Sequence, residues 1–172
     1  LTKSDSQAIA RLLAAAIHKI GGVDLAFLGR QAIDSDTGLT AAQTARVLGW
    51  PALTLVAAIP SVDPAGRNIR VERSIEEGRQ TVSAKLPAVL NIVKDFGEPR
   101  YPSFMGIRKA SRAVIPVWSL ADLGVSAPQP VVSWPVVENP PARQVATEMI
   151  TGGSPQEIAE KLADKILAEK VL

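Results

Sequence analysis

The sequence predicts an α/β domain with a parallel sheet, followed by an antiparallel strand meander and by a C-terminal arm plus helix. Three observations support this prediction. A helix, a short apolar strand and a second helix alternate over residues 1–51, the order of a layered α/β domain. Three runs of alternating apolar residues follow over residues 53–86, a pattern typical of antiparallel strands. Five prolines in residues 126–141 separate this part from a final helix.

The first helix is predicted from a possible capping box, Ser4 to Gln7, and from apolar residues that recur at steps of three and four up to Ile20. Gly21 and Gly22 end it. The apolar run Val23–Leu28 then has the composition of a buried parallel strand.

A loop, GRQAIDSDTG, leaves this strand and leads into a second helix, Leu39–Leu48, which Gly49 ends. In the meander, Asp63 to Gly66 and the segment EEG supply the turns. Pro87 caps the third strand or marks a sheet edge.

The last helix has strong start signals. Ser154 is an N-cap residue, Pro155 takes the first helical position, and Glu157 completes a capping box. The sequence therefore divides into an α/β domain, residues 1–125, and an arm plus helix, residues 126–172.

Composition excludes several function classes. The net charge of +2 comes from scattered basic residues, so no nucleic-acid partner is indicated. The chain has no cysteine, which excludes disulfides and thiolate chemistry. No apolar run reaches the ~18 residues of a membrane helix, so we expect no direct membrane insertion and a location in the bacterial cytoplasm or the mitochondrial matrix.

The aspartate loop has several interpretations. Asp34 and Asp36 have the first spacing of a calcium loop, but Gly38 and Ala45 stand where further ligands are needed. An aspartyl phosphatase site is not favoured either, because five residues separate the strand from Asp34. A loop between the carboxyl end of a strand and the amino end of a helix suits a phosphate. A simple turn capped by aspartate is the alternative, and these residues alone leave both open.

Several separated motifs resemble the β subunit of electron-transfer flavoprotein. The segment DLAFLGRQAIDSDTGLTAAQTARVLGWP is similar to the nucleotide-binding stretch of that family, and VERSIEEGRQTVSAKLPAVL is similar to its signature. The segment GEPRYPSFMGIRKA resembles its partner-docking segment. The resemblance covers essentially the whole chain. It implies an adenine-nucleotide-binding fold shared with nucleotide α-hydrolases, and further N-terminal strands that this sequence is expected to lack. Residues 1–125 would then form a partial α/β nucleotide-binding domain, and the arm and helix, residues 126–172, would pack on a partner subunit.

The resemblance implies a non-catalytic electron carrier that forms a heterodimer with an α subunit. That subunit holds most of an FAD, whereas the β subunit binds AMP, or a second FAD in bifurcating members. Acyl-CoA dehydrogenases or similar flavin dehydrogenases would deliver electrons, and a quinone oxidoreductase would accept them. The second interpretation is a nucleotide-binding hydrolase or adenylating relative. The third is an interaction domain whose nucleotide site has decayed.

The resemblance also assigns candidate residues. The nucleotide-binding candidates form one continuous stretch: Gly29, Arg30, Gln31, Ala32, Ile33, Asp34, Ser35, Asp36, Thr37, Gly38, Leu39 and Thr40. The partner-docking candidates are Glu98, Pro99, Arg100, Tyr101, Phe104, Met105, Ile107 and Lys109, in a segment expected to be a loop. Glu72 corresponds to an acidic residue that meets the α subunit near the flavin.

Three positions depart from the family pattern. Ala41 stands where glycine is frequent, Asn91 where the signature ends in a small residue, and Phe104 where a leucine enters the dehydrogenase. For the apolar tip around Phe104, a loop buried within its own domain is the alternative to docking.

Overall fold

The structure is a computed structural model that describes residues 4–133, 136, 138–142 and 147–169. The helices in these residues are α1 (Ser6–Ile20), α2 (Thr40–Leu48), α3 (Phe104–Ala110) and α4 (Pro155–Ala168). The strands are β1 (Leu25–Gly29), β2 (Ala52–Asp63), β3 (Asn68–Ile75), β4 (Gly78–Lys85) and β5 (Ala88–Ile92). The predicted α/β class is confirmed. The chain divides into two compact units, residues 1–134 and residues 135–172.

The first unit contains one mixed sheet with the strand order β1-β5-β2-β3-β4. Strand β3 pairs antiparallel with β2 on one side and with β4 on the other, and the three strands form the predicted meander. Strands β1 and β2 each pair in parallel with β5. The meander and the parallel part therefore belong to a single sheet, because β2 pairs with β3 on one side and with β5 on the other.

The position of β5 corrects the sequence analysis. Pro87 follows the end of β4, as one of its two interpretations predicted, but it does not mark a sheet edge. It directly precedes a strand that was not predicted and that lies between β1 and β2. Leu90 of this strand pairs with Phe27 on one side and with Leu53 on the other. With a partner on each side, β5 is an inner strand of the parallel part and connects β1 to β2.

Side chains of β5 alternate between two apolar clusters, because successive residues of a strand face opposite sides of the sheet. Val89 packs with Ala41 and Ala45 of α2. Ala88 and Leu90 belong to the larger core, whose other members come mainly from β2 and β3. Helix α1 packs against α2. This packing holds α2 on one face of the sheet, directly after the loop that leaves β1.

Helix α1 begins differently from the prediction. The capping residue is Asp5 and not Ser4: its Oδ1 accepts from the Ala8 N–H at 2.8 Å. The other carboxylate oxygen accepts from the N–H groups of Val131 and Val132, at 2.7 and 3.0 Å. Asp5 is 8% exposed. It therefore joins the start of α1 to the proline-rich arm, a contact that the local sequence did not indicate.

Asp5 makes the stability of the first unit depend on pH. The hydrogen bond from Ala8, reinforced by those from Val131 and Val132 and opposed by desolvation, lowers the pKa of Asp5 below its usual 3.8. A depressed pKa in the folded state gives stabilisation that is present above the unfolded pKa and lost as pH falls through the folded value. We expect Asp5→Asn to melt at a lower temperature than wild type at pH 7, with a gap that narrows below about pH 4. Thermal melts of both proteins between pH 7 and pH 3 test this, and a gap that stays constant would contradict it.

The second unit contains helix α4, which starts as predicted. The Ser154 hydroxyl accepts from the Glu157 N–H at 3.2 Å, and Pro155 occupies the first turn. The Glu157 carboxylate accepts from the Gly153 N–H and from Lys161. Leu162 and Leu167 stay exposed on this helix.

Within the arm, residues 134, 135 and 137 lie outside the described residues, as do 143–146 and 170–172. The predicted packing of residues 126–172 on a partner subunit stays a prediction. In the part of the chain that the structure describes, no helix combines the length and the apolar character needed to cross a membrane.

Candidate functional site

The candidate nucleotide loop joins the carboxyl end of β1 to the amino end of α2. Gly29 is the last residue of β1, and Thr40 is the first of α2. Residues 29–39 are exposed, while Thr40 is half-buried. In open α/β sheets this is the edge at which ligands bind. The loop therefore lies where the sequence placed it.

The loop borders a cavity of about 310 Å³. Its lining comprises Leu28 and eight of the twelve candidates, namely Gly29, Arg30, Gln31, Ala32, Ser35, Thr37, Gly38 and Thr40. The other four candidates, Ile33, Asp34, Asp36 and Leu39, are not part of the lining. Hydroxyl groups and a cation thus border the cavity, whereas both aspartates lie outside it, an arrangement that favours an anion over a metal ion.

Helix α2 has no side-chain cap within the described residues. Leu39 occupies the N-cap position and has no group that could accept from the first N–H groups. Those N–H groups have no acceptor inside the helix either, because the first turn of any α-helix leaves them free. Together with the helix dipole they favour a negative charge. The uncapped amino end of α2 is thus suited to a phosphate.

Ala41 does not narrow this cavity, although the resemblance has glycine there. Its methyl group is buried between α2 and the sheet, in the cluster that contains Ala45 and Val89. It is not among the lining residues. Alanine in place of glycine at position 41 therefore adds apolar packing between α2 and the sheet, and its methyl group does not occupy the cavity.

Contacts inside the loop fix its shape. Gln31 donates a hydrogen bond to the Asp36 carboxylate, and the Asp36 N–H donates to the Ala32 carbonyl at 2.8 Å. Asp36 has φ 48° and Gly38 has φ 62°. Aspartate is one of the few residues other than glycine that adopts this left-handed conformation readily. Asp36 therefore stabilises the turn. The turn interpretation thus applies to Asp36, and the phosphate interpretation applies to the residues that line the cavity.

Sequence reasoning did not identify Asn91 as part of the site. It lies on β5, is 5% exposed, and donates through Nδ2 to the carbonyl oxygens of Gly29 and Arg30, at 2.9 and 3.3 Å. Its Oδ1 accepts from the Leu55 N–H at 3.3 Å. A buried polar residue needs such partners. The signal in the sequence was an amide inside the otherwise apolar run AVLNI.

The partner of Asn91 on β2 lies at an irregularity of the sheet. Leu55 has φ 58°, and the pairing of β2 with β5 shifts between Leu53 and Val56. A non-glycine residue at such a φ costs on the order of 1–3 kcal/mol and persists only when its surroundings hold it. Arg73 of β3 stabilises the same stretch, because Nε donates to the Thr54 carbonyl at 2.7 Å.

Glu72 lies in the middle of β3, opposite Ala58 of β2 and Thr81 of β4. It is half-buried. Its neighbour Val71 is completely buried in the larger core, so Glu72 points to the other face of the sheet. The structure thereby settles which face this residue takes, while its contact with a second subunit stays a prediction.

The docking candidates lie together in an exposed segment, in which Tyr101 is 99% exposed and Phe104 79%. Met105 and Ile107 are also exposed apolar residues, and Glu98, Pro99, Arg100 and Lys109 are exposed beside them. A groove of about 750 Å³ runs along the segment; its lining includes Met105 and Lys109. Phe104 therefore does not belong to the core of the first unit.

The expected loop is in part a helix. Phe104 begins α3, and the Ser103 hydroxyl caps it by accepting from the Gly106 N–H at 3.0 Å. Pro99 and Pro102 precede the helix, and because prolines at this spacing are typical of a loop, the sequence pattern did not predict the helix. The apolar side chains are consequently presented from a capped helical turn.

A metal site is not found in the part of the chain that the structure describes, because no three His, Asp or Glu side chains are grouped closely enough to hold an ion.

The comparisons with known proteins agree on one family. The profile of the electron transfer flavoprotein domain matches residues 1–123. The chain is 40% identical over 143 residues to the electron transfer flavoprotein subunit beta of Mus musculus, covering 83% of this chain and 54% of that protein. It is 34% identical over 174 residues to the caffeyl-CoA reductase-Etf complex subunit CarD of Acetobacterium woodii, covering 98% of this chain and 65% of that protein.

A third relative is protein FixA of Azorhizobium caulinodans, 39% identical over 126 residues, with 71% of this chain and 45% of that protein covered. The chain thus spans about half to two thirds of the length of these relatives. The profile match extends over the loop, the sheet and the docking segment together. The chain belongs to the electron transfer flavoprotein family, and within it to the β-subunit type.

Proposed function

We propose that the protein is the β subunit of a heterodimeric electron carrier, and not an enzyme. It binds an adenine nucleotide at the loop after β1, pairs with an α subunit that holds most of an FAD, and docks flavin dehydrogenases through α3. The observation that carries the proposal is the cavity between Gly29 and Thr40 at the uncapped start of α2. AMP fills this site in an ordinary carrier, and FAD fills it in a bifurcating one.

The lining residues fit an adenine nucleotide. Gly29 and Gly38 let the backbone approach a ligand closely, while the hydroxyls of Ser35, Thr37 and Thr40 can donate to phosphate oxygens. Arg30 adds a cation at the entrance of the loop. Bound AMP would contribute binding energy and rigidity, whereas bound FAD would add a second redox centre.

Two exposed apolar regions support the subunit and dehydrogenase partners. In the second unit, Leu162 and Ile166 of α4 are four residues apart and exposed, so this helix offers an apolar stripe to an α subunit. In the first unit, Phe104, Met105 and Ile107 offer a few apolar anchors among charged residues. A small set of anchors suits a dehydrogenase that must leave after each transfer, with a quinone oxidoreductase as the next acceptor. Such a carrier works in the bacterial cytoplasm or the mitochondrial matrix.

The experiment that tests the nucleotide is acid extraction of the protein co-purified with its α subunit. We expect the extract to contain AMP beside the FAD, or FAD in excess of the amount that the α subunit holds. Chromatography with authentic standards identifies each nucleotide, and the absorbance spectrum before extraction quantifies the flavin.

The control is the α subunit purified alone, which gives the amount of FAD that does not depend on this chain. A heterodimer that releases no nucleotide beyond that amount, and that binds no AMP on titration, would contradict the proposed site. The absence of any stable complex with an α subunit would contradict the heterodimer instead.

A further inference from the structure

We propose that Asn91 is a positioning residue for the nucleotide loop. One buried amide on β5 reaches the first two carbonyl groups of the loop and the irregular stretch of β2 at the same time. Asn91 does not line the cavity, so it acts on a ligand through the backbone of the loop. This inference rests on the proposed function, because it concerns how the same site is prepared for its ligand.

The donor side of the amide controls the carbonyl groups of Gly29 and Arg30. A carbonyl oxygen carries partial negative charge and repels a phosphate in its neighbourhood. Because Nδ2 binds both oxygens, at 2.9 and 3.3 Å, they are directed towards β5. The groups left to face an anion are then N–H and hydroxyl donors. Without Asn91, either oxygen can turn towards the cavity.

The acceptor side of the amide connects the loop to the meander. Leu55 has φ 58°, and its N–H donates to Oδ1 at 3.3 Å. Leu55 and Arg30 together border a second cavity, whose lining also includes Ser74 of β3 and Lys94. Asn91 thus connects the start of the loop to β2 through one side chain.

The test uses the wild-type heterodimer and the variants Asn91→Ala, Asn91→Asp and Asn91→Thr, each freed of nucleotide and titrated with AMP and, separately, with FAD. Alanine removes both sides of the contact. Aspartate keeps the acceptor for Leu55 but sets a carboxylate oxygen against the two carbonyls, while threonine can donate to one of them. We expect affinity to fall at least tenfold for alanine and for aspartate, with threonine in between.

The matched control is Val71→Ala, which removes apolar volume from a fully buried site on β3 away from the loop. It should lower the melting temperature without changing the affinity for AMP. Limited trypsin digestion adds a readout that needs no nucleotide, because trypsin cleaves after Arg30. Cleavage there should be faster in the Asn91 variants than in wild type and in Val71→Ala.

The outcomes separate this inference from the proposed function. If wild type binds AMP and Asn91→Ala binds it equally well, or no worse than Val71→Ala does, the positioning role is overturned. If wild type binds neither AMP nor FAD, the proposed nucleotide site fails and so does the part of this inference that concerns the ligand. Faster cleavage after Arg30 in the Asn91 variants alone would still support anchoring of the loop, and unchanged cleavage would overturn that as well.

Discussion

Replacement of Leu39 by aspartate is expected to weaken AMP binding about ten- to hundredfold while the protein becomes no less stable. Leu39 holds the uncapped N-cap position of α2 and is 50% exposed, so its loss removes little core packing. A carboxylate there interacts favourably with the helix dipole, by about 0.3–1 kcal/mol. The same charge repels a phosphate: for two charges about 6 Å apart at an effective dielectric constant of about 20, the cost is about 3 kcal/mol.

The matched control for this prediction is Leu39→Asn, which has the same size and the same capping oxygen without the charge. We expect it to bind AMP within about threefold of wild type and to melt at a similar temperature. Isothermal titration with AMP and thermal melts of nucleotide-free protein measure both effects. Equal loss of affinity in the two variants would show that shape, and not charge, matters at this position. Unchanged affinity for AMP in both variants would contradict the proposal that the amino end of α2 binds the phosphate.

Truncation of Phe104 to alanine is expected to lower the affinity for a flavin dehydrogenase about thirtyfold. Phe104 is the first residue of α3 and is 79% exposed, so its ring is available to a partner. Burial of such a side chain contributes about 1.5–3 kcal/mol. Removal of a central anchor from an interface typically costs about 2 kcal/mol or more, which corresponds to about thirtyfold in affinity.

Steady-state electron transfer from an acyl-CoA dehydrogenase, measured over a range of carrier concentrations, tests the role of Phe104. The expected effect is a higher KM for the carrier, with an unchanged melting temperature and an intact heterodimer. Val62→Ala is the control, because Val62 is an exposed apolar residue on β2 outside the docking segment. A variant Phe104→Ala that transfers electrons as well as wild type would rule out the docking role.

Elements with a complete local signal were predictable from the sequence. Helix α2 ends at Gly49, which adopts φ 71° as a left-handed C-cap, and α4 starts with the capping interactions that its sequence encodes. The meander was predictable as well, since its strands are neighbours in sequence and their side chains alternate. In each case the residues that determine the element lie within it or beside it.

Features that depend on distant residues were not predictable. Strand β5 is a five-residue apolar run, and only its two parallel neighbours, which are far away in sequence, show that it is central. Helix α3 has seven residues and lies close behind two prolines, too short for an apolar period to appear. Asp5 was preferred over Ser4 as a cap because its second oxygen binds the arm. The role of Asn91 was not predictable for the same reason, since its hydrogen-bond partners lie on other segments.

The central position of β5 has a consequence for the order in which the domain assembles. Strands β2, β3 and β4 need only short turns to pair, so this part can form as soon as it has been synthesised. Strand β1 precedes them in the chain, yet its partner in the sheet is β5, which the ribosome makes after all three. Pairings between distant segments also form more slowly than local ones. The loop after β1, although made early, therefore acquires its hydrogen bonds to Asn91 only when β5 enters the sheet between β1 and β2.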